Sequence, residues 1–569
     1  MSPLHRLMLA TGLRHSFANG YSLANLRQDA LAGLTVGIIA IPLGMALAIA
    51  SGVAPQYGLY TSMIAGLVIA LTGGSRLSVS GPTAAFVVVL YPITQQFGLG
   101  GLLLATLMAG VMLLIMGYAR LGRLIEYIPV PVVIGFTAGI GIVIATLQIK
   151  DFAGLTLSEL PASYPEKVAV LWNALPSTSS ANLIIGITTL AVLILWPRLP
   201  IRLPGHLFAL AAGTLVAQLF STDQVATIGS LFSYELNGEV HPGIPPFPPT
   251  PLLPWQLPGA DGQPLVLNLA LFQALLLPAF SIAMLGAIES LLCAVIADGM
   301  SGHRHHANGE LIGQGLGNLV APFFGGITAT AAIARTVANY KAGAFSPIAA
   351  AIHALVVLAG VMLLAPLLSL LPMAALSALL LMIAWNMSEL PQLVRLLKIS
   401  GHGDRLVLLT TLILTVLVDM VVAVGAGMVL AALVFMQRMS HAVQLTPLEQ
   451  GNPRLQYFLP SNVCVLKVSG PLFFAGAERT LQSLLQMDDH IDTLILHMDG
   501  VPVIDASAVT CLEVVINELR QRQLRLILAD LQPQPQHALA QAGIKPDADW
   551  LRFEPTLQQS LQQNIPLRS

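Results

Sequence analysis

Leu77-Ser78-Val79-Ser80-Gly81-Pro82-Thr83-Ala84-Ala85-Phe86 is the stretch whose reading decides the fold. It opens on small hydroxyl residues, glycine and proline, then turns apolar. A helix from Ser80 to Leu90 rises only about 16 Å, roughly half the hydrocarbon core of a bilayer. A second stretch has the same character: Gly325-Gly326-Ile327-Thr328-Ala329-Thr330-Ala331-Ala332-Ile333-Ala334-Arg335. Interrupted helices are tolerated at membrane depth only where the freed backbone groups line a protein cavity. A pair of them in corresponding places of two halves points to a transporter's binding site.

The rest of the chain supports a membrane setting. Of its 569 residues, 55% are hydrophobic and only 9% charged, which excludes an ordinary soluble domain and requires a polytopic α-helical membrane protein. The net charge of −2 implies no nucleic-acid partner, and three cysteines cannot build a disulfide framework. Apolar runs near 31–50, 58–72, 79–92, 101–118, 130–149, 183–197 and 204–220 form one series. Runs near 268–297, 311–324, 327–340, 347–366, 372–385, 405–419 and 420–437 form another, giving about 14 transmembrane elements. Composition changes sharply near Arg438, and after residue 450 charged and polar residues return at ordinary density. The expected domains are a cytoplasmic N-terminal segment at 1–30, a transmembrane transport domain at 31–440 and a soluble domain at 450–569. The first thirty residues carry Arg6, Arg14 and Arg27 without an early apolar region, so no cleavable signal peptide is expected.

Basic residues orient the spans. With the N-terminus cytoplasmic and each element crossing or half-crossing in turn, fifteen Lys and Arg up to residue 450 fall inside. Only Lys150 and Lys167 fall outside, a strong positive-inside bias that places both termini in the cytoplasm. Seven elements per half is an odd number, so the two halves are expected as inverted repeats.

Few residues in this apolar chain can carry chemistry. Glu289 lies well inside a span, where an ionised carboxylate is costly; it is the candidate to exchange a proton. The first-turn amides of the two half-helices, with the positive ends of their dipoles, suit one anion. Ser80, Thr83, Thr328 and Thr330 add hydroxyl donors. Arg335, about 10 Å along a helix from Thr328, either draws anions into the site or binds one carboxylate, or else snorkels to the cytoplasmic surface. His303-Arg304-His305-His306 lacks acidic or cysteine partners and reads as a solvated loop, so no metal site is expected. Nothing resembles a P-loop, a redox CxxC or a hydrolase triad, so the chain is not expected to be an enzyme. In the soluble tail, apolar runs at 464–468, 493–498 and 524–529 read as buried strands. Helical patterns near 477–487, 506–521, 534–542 and 556–565 alternate with or follow them, which suggests a small α/β domain.

Ile41-Pro42-Leu43-Gly44-Met45-Ala46 followed by Ala54-Pro55-Gln56-Tyr57-Gly58-Leu59-Tyr60 resembles the opening signature of the sulfate permease (SulP) anion transporters. Val503-Ile504-Asp505-Ala506-Ser507-Ala508 resembles part of their C-terminal STAS domain. The resemblance covers roughly 25–560 and extends to the family's bacterial C4-dicarboxylic acid transporters. It implies a 7+7 inverted repeat divided into core and gate domains, with a STAS domain behind. It further implies that the third and tenth elements meet at the substrate site, and that Glu289 on the eighth is the coupling carboxylate. The substrate-binding residues it implies are Ser80, Gly81, Thr83, Ala84, Thr328, Ala329, Thr330 and Arg335. The implied activity is elevator-type import of succinate, fumarate or aspartate with protons, by a homodimer in a bacterial inner membrane. The alternatives are sulfate or bicarbonate transport, with sodium as the other coupling ion, and a membrane-anchored regulator acting through its tail. No cofactor is expected. Membrane lipid and a cytoplasmic partner of the STAS domain are the remaining expected partners, and Ser507 is its weak regulatory candidate.

Overall fold

The computed structural model of the chain describes residues 8–448 and 459–564, apart from 19, 124–127, 158–159, 162, 201–203, 221–223, 237, 474–475, 477–483, 485–489 and 548. Two compact units result, Met1–Met428 and Val429–Ser569.

The first unit opens with a short helix α1 (Thr11–Ala18), then α2 (Leu23–Ala50), α3 (Pro55–Thr72), the two-residue strand β1 (Ser80–Gly81) and α4 (Ala84–Tyr118). Next come α5 (Val130–Ala153), α6 (Tyr164–Ala174), α7 (Ser180–Leu195) and α8 (Gly205–Ala217). A connection holding the single turn α9 (Ile228–Leu231) and a hairpin of β2 (Ser233–Leu236) and β3 (Glu239–Pro242) leads to a second series. That series comprises α10 (Leu269–Ser301), α11 (Ala307–Val320), the two-residue strand β4 (Thr330–Ala331), α12 (Ile333–Lys341), α13 (Ile348–Leu368) and α14 (Met373–Met387). It ends with α15 (Leu390–Ile399), α16 (His402–Leu417) and α17 (Met420–Ala442), and the boundary between the two units falls within α17. Among the described residues, eight helices are long and apolar enough to cross a membrane alone.

α4 is two helices in line. At their junction Gly98 takes φ 68° and ψ −173°, a region essentially reserved for glycine. Its Cα side also packs against the backbone of Gly259, where a Cβ would stand 2.3 Å from the carbonyl carbon. The first part of α4 is therefore the half-helix expected from the sequence. With α4 counted as two and the short helices α1, α6, α9 and α15 set aside, each half contributes seven elements.

Packing follows the same repeat. α2 lies on α13, and its counterpart α10 lies on α4; α3 lies on α13 as α11 lies on α4. α14 meets α7 as α5 meets α16, while α3 meets α11 and α5 meets α14, each its own counterpart. The helices thus sort into a bundle of α2–α4 with α10–α13 and a second bundle built on α5, α7, α8, α14 and α16. Close approach between helices of the first bundle comes from small residues, as membrane packing requires: Gly33 and Gly37 of α2 face Ile352 and Val356 of α13.

The second unit holds a five-stranded sheet in the order β5 (Gln444–Pro447), β6 (Val463–Ser469), β7 (Thr493–Gly500), β8 (Arg525–Ala529), β9 (Leu551–Glu554). β5 pairs antiparallel with β6, and the remaining pairs are parallel. α18 (Ala506–Gln521), α19 (Pro533–Gln541) and α20 (Leu557–Asn564) complete it. One core gathers Leu494, Leu496, Leu512 and Leu526, and a second on the other side of the sheet gathers Ile495, Ile527 and Leu561, as alternation along buried strands dictates. The three strands and the last three helices match the sequence reading, whereas the helix expected near 477–487 lies mostly outside the described residues. The N-cap of α18 is Asp505, whose carboxylate accepts from the Ala508 amide at 2.8 Å. Ser507 sits two residues later with its side chain exposed, so the capping role falls to Asp505 and not to the serine. Replacing Asp505 by alanine is expected to speed amide exchange in the first turn of α18 roughly fivefold, the equivalent of about 1 kcal/mol of cap. Unchanged exchange by mass spectrometry would rule the cap out.

Candidate functional site

The two broken stretches meet. β1 and β4 pair antiparallel, with Ser80 opposite Ala331 and Gly81 opposite Thr330, and the Ala332 amide donates to the Val79 carbonyl at 3.0 Å. From this crossing the chain turns into α4 after Thr83 and into α12 after Ala332. Neither N-cap residue offers a side-chain bond to the first-turn amides. Those amides have no intrahelical partner by construction. Two helix ends with free N–H groups and positive dipole ends therefore start from one short ladder. Ala84 and Phe86 are buried, while Ala332 and Ile333 are partly open and Ala334 is exposed.

Glu289 joins the site from α10. Thr83 Oγ1 donates to Glu289 Oε2 at 2.8 Å, and Glu289 as a residue is half-buried. Arg335 comes from the first turn of α12 and is 1% exposed, which eliminates the snorkelling alternative. Its Nη2 donates to the Pro82 carbonyl at 3.0 Å, while Nε and Nη1 have no hydrogen-bond partner among the described residues. The fit behind Arg335 is tight. A Cβ on Gly81 would lie 2.3 Å from Arg335 Nη1 and 3.1 Å from Ser62 Oγ.

Hydroxyl groups expected to face an anion are instead engaged within the protein. Ser80 Oγ accepts from Gln314 Nε2 at 3.0 Å. Thr330 Oγ1 donates to the Gly286 carbonyl at 3.1 Å, and Thr328 Oγ1 shares a 2.8 Å bond with Thr106 Oγ1. Ala329 is held through its backbone: its amide donates to Asn318 Oδ1 and its carbonyl accepts from Asn318 Nδ2, both at 2.8 Å. The donors left at the crossing are backbone amides, the hydroxyl hydrogen of Ser80, whose oxygen accepts from Gln314, and the Arg335 edge that has no partner among the described residues. Such a set offers the positive charge and N–H geometry that suit a small anion.

Gln314, Asn318, Thr106 and Glu310 escaped the sequence reading. A signal for three of them was present: Glu310, Gln314 and Asn318 recur every four residues on a helix whose other positions from 309 to 320 are glycine or apolar, one buried stripe. Thr106 has no such signature, because a hydroxyl inside a long apolar helix commonly bonds back to its own backbone, as this one also does to Leu102.

Residues 26–411 match the model of the sulfate permease family, and 459–560 match the STAS domain. The chain belongs to the sulfate permease family. It is 39% identical over 526 residues to a putative sulfate transporter of Bacillus subtilis, covering 92% of this chain and 95% of the relative. Against a bicarbonate transporter of Picosynechococcus it is 30% identical, covering 88% of each. Among solved structures, the transmembrane domain of a cyanobacterial bicarbonate transporter superposes with TM-score 0.61 at 27% identity, over 71% of this chain and 98% of that one. The structure of SLC26A9 superposes with TM-score 0.83 over 98% of this chain and 93% of that one, at 19% identity, a likeness of fold. As a sulfate permease family member the protein is a multi-pass anion transporter with a C-terminal STAS domain.

Proposed function

We propose that the protein is a proton-coupled anion importer whose cargo sits between the first turns of α4 and α12, with Glu289 as the proton carrier. The observation that supports this most is the β1–β4 ladder, which presents two uncapped helix starts together beside a Thr83–Glu289 bond. Ionised Glu289 sets a negative charge against the anion's seat. Protonating it removes that charge, so proton and anion bind in mutual support. The ladder ties both helix starts into one bundle, which suits an elevator in which the core bundle slides against the gate bundle of α5, α7, α8, α14 and α16 while carrying the site intact. We place the protein in a bacterial inner membrane with both termini cytoplasmic, following the charge bias of the loops, and take the working unit as a homodimer surrounded by lipid. The STAS domain then serves a cytoplasmic partner, with Ser507 exposed at the start of α18 as its point of modification.

C4-dicarboxylates are the cargo in this reading. The resemblance to the dicarboxylate branch favours them, and Ala84 at the start of α4 leaves room for an organic anion. A second reading, sulfate or bicarbonate, is favoured by the names of the relatives above. Uptake of labelled succinate into proteoliposomes under an inward proton gradient, with and without sodium, separates them. Succinate accumulation that ignores excess sulfate and bicarbonate supports the first reading. Sulfate or bicarbonate transport without succinate uptake replaces it with the second.

A further inference from the structure

α11 carries three polar side chains on one face, Glu310, Gln314 and Asn318, all essentially sealed from solvent. Burying an amide or a carboxylate in an apolar bundle is costly unless its bonds are made, so the bonds reveal what the stripe is for. Asn318 grips the main chain of Ala329 in both directions, one residue before β4. Gln314 Nε2 spends both its hydrogens, one on Ser80 Oγ in β1 at 3.0 Å and one on Glu310 Oε1 at 2.9 Å. Glu310 Oε2 in turn accepts from the amides of Gly74 and Ser75, each at 2.9 Å, in the segment that enters β1. A single helix face therefore holds both strands of the crossing, one by its backbone and the other by a side chain and its approach segment. The counterpart face of α3 makes one such bond, Thr61 Oγ1 to the Ile327 carbonyl at 3.1 Å.

We propose that Glu310, Gln314 and Asn318 are positioning residues that set the spacing and aim of the two uncapped helix starts, and so fix anion affinity and selectivity without touching the anion. This rests on the reading of the crossing as the anion site. The Gln314–Ser80 bond is the link to test, because either end can be removed. Gln314→Met keeps the length and loses the donor; Ser80→Ala loses the acceptor. Each purified full-length variant is reconstituted and its KM, maximal rate and order of competition among succinate, sulfate and bicarbonate are measured. We expect each to raise KM roughly fivefold to tenfold at near-normal maximal rate and to alter the competition order, with the double variant no worse than the poorer single. A purely structural stripe would lower the amount of folded protein and leave KM and competition unchanged, and that result overturns the proposal, as does full additivity of the two changes. Should Gln314→Met not fold, Gln314→Asn, which retains the amide on a shorter arm, is expected to give an intermediate KM; a wild-type KM there overturns the proposal equally. Wild-type protein that moves none of the three anions sinks the functional reading itself, a result distinct from any of these.

Discussion

Glu289→Gln is expected to abolish accumulation driven by a proton gradient while leaving the protein folded. Glutamine keeps an acceptor for the Thr83 hydroxyl at the place where the carboxylate stands 2.8 Å away, so the local packing survives. What disappears is the change of charge that the proposed function assigns to the site. A gradient of one pH unit drives about a tenfold concentration ratio per coupled proton, and the variant should fall to a ratio near one. Its uptake should also lose pH dependence. In the native protein, uptake is expected to rise as the outside is acidified, since in the proposed reading protonation removes the charge that opposes the anion; glutamine mimics the protonated state at every pH. Exchange of internal for external anion, which needs no net proton movement, should persist. Gradient-driven accumulation retained in full by Glu289→Gln would exclude this residue as the carrier.

Gly81→Ala is the second change with a large expected effect. The new methyl group would stand 2.3 Å from Arg335 Nη1, so one of them must move. Overpacking of a filled site ordinarily costs about 1–3 kcal/mol, but here the obstacle is the far end of a side chain. The guanidinium can swing, and folding then suffers little. Binding suffers more, because the swing takes the charged edge away from the helix starts and strains its bond to the Pro82 carbonyl. If that cost falls on the anion, affinity drops roughly 5- to 150-fold. Anion KM in proteoliposomes, read beside the thermal unfolding midpoint in detergent, distinguishes the two: a large KM rise with a small midpoint shift is expected. Unchanged KM would mean that Arg335 does not face the cargo.

Much of the fold was legible because membrane sequences obey few rules strictly. A span must be apolar for about twenty residues, and loops must sort by charge; the two series of seven and the two interruptions follow from those rules. Glu289 was legible for the opposite reason, as a costly residue where none is tolerated without purpose. The direction of a hydroxyl is another matter. Ser80, Thr328 and Thr330 all lie in the two broken stretches, yet each bonds into the protein. That outcome depends on Gln314, Thr106 and the Gly286 carbonyl, which are distant in sequence and become neighbours only through packing. Arg335 had two reasonable destinations, and only the burial of α12 between its neighbours decides between them.

The β1–β4 ladder has a consequence for biosynthesis. Ser80 pairs with Ala331, about 250 residues further along the chain. At about 5–20 residues per second, the ribosome takes roughly 12–50 s to deliver the partner. Through that interval the first half resides in or beside the membrane with an interrupted helix whose polar backbone has no mate, and Gln314 and Asn318, which will hold the crossing, have yet to be made. The nascent first half is thus a client for whatever insertion machinery shelters unpaired polar backbone, and the closing of one two-residue ladder marks the moment at which the transporter can leave it.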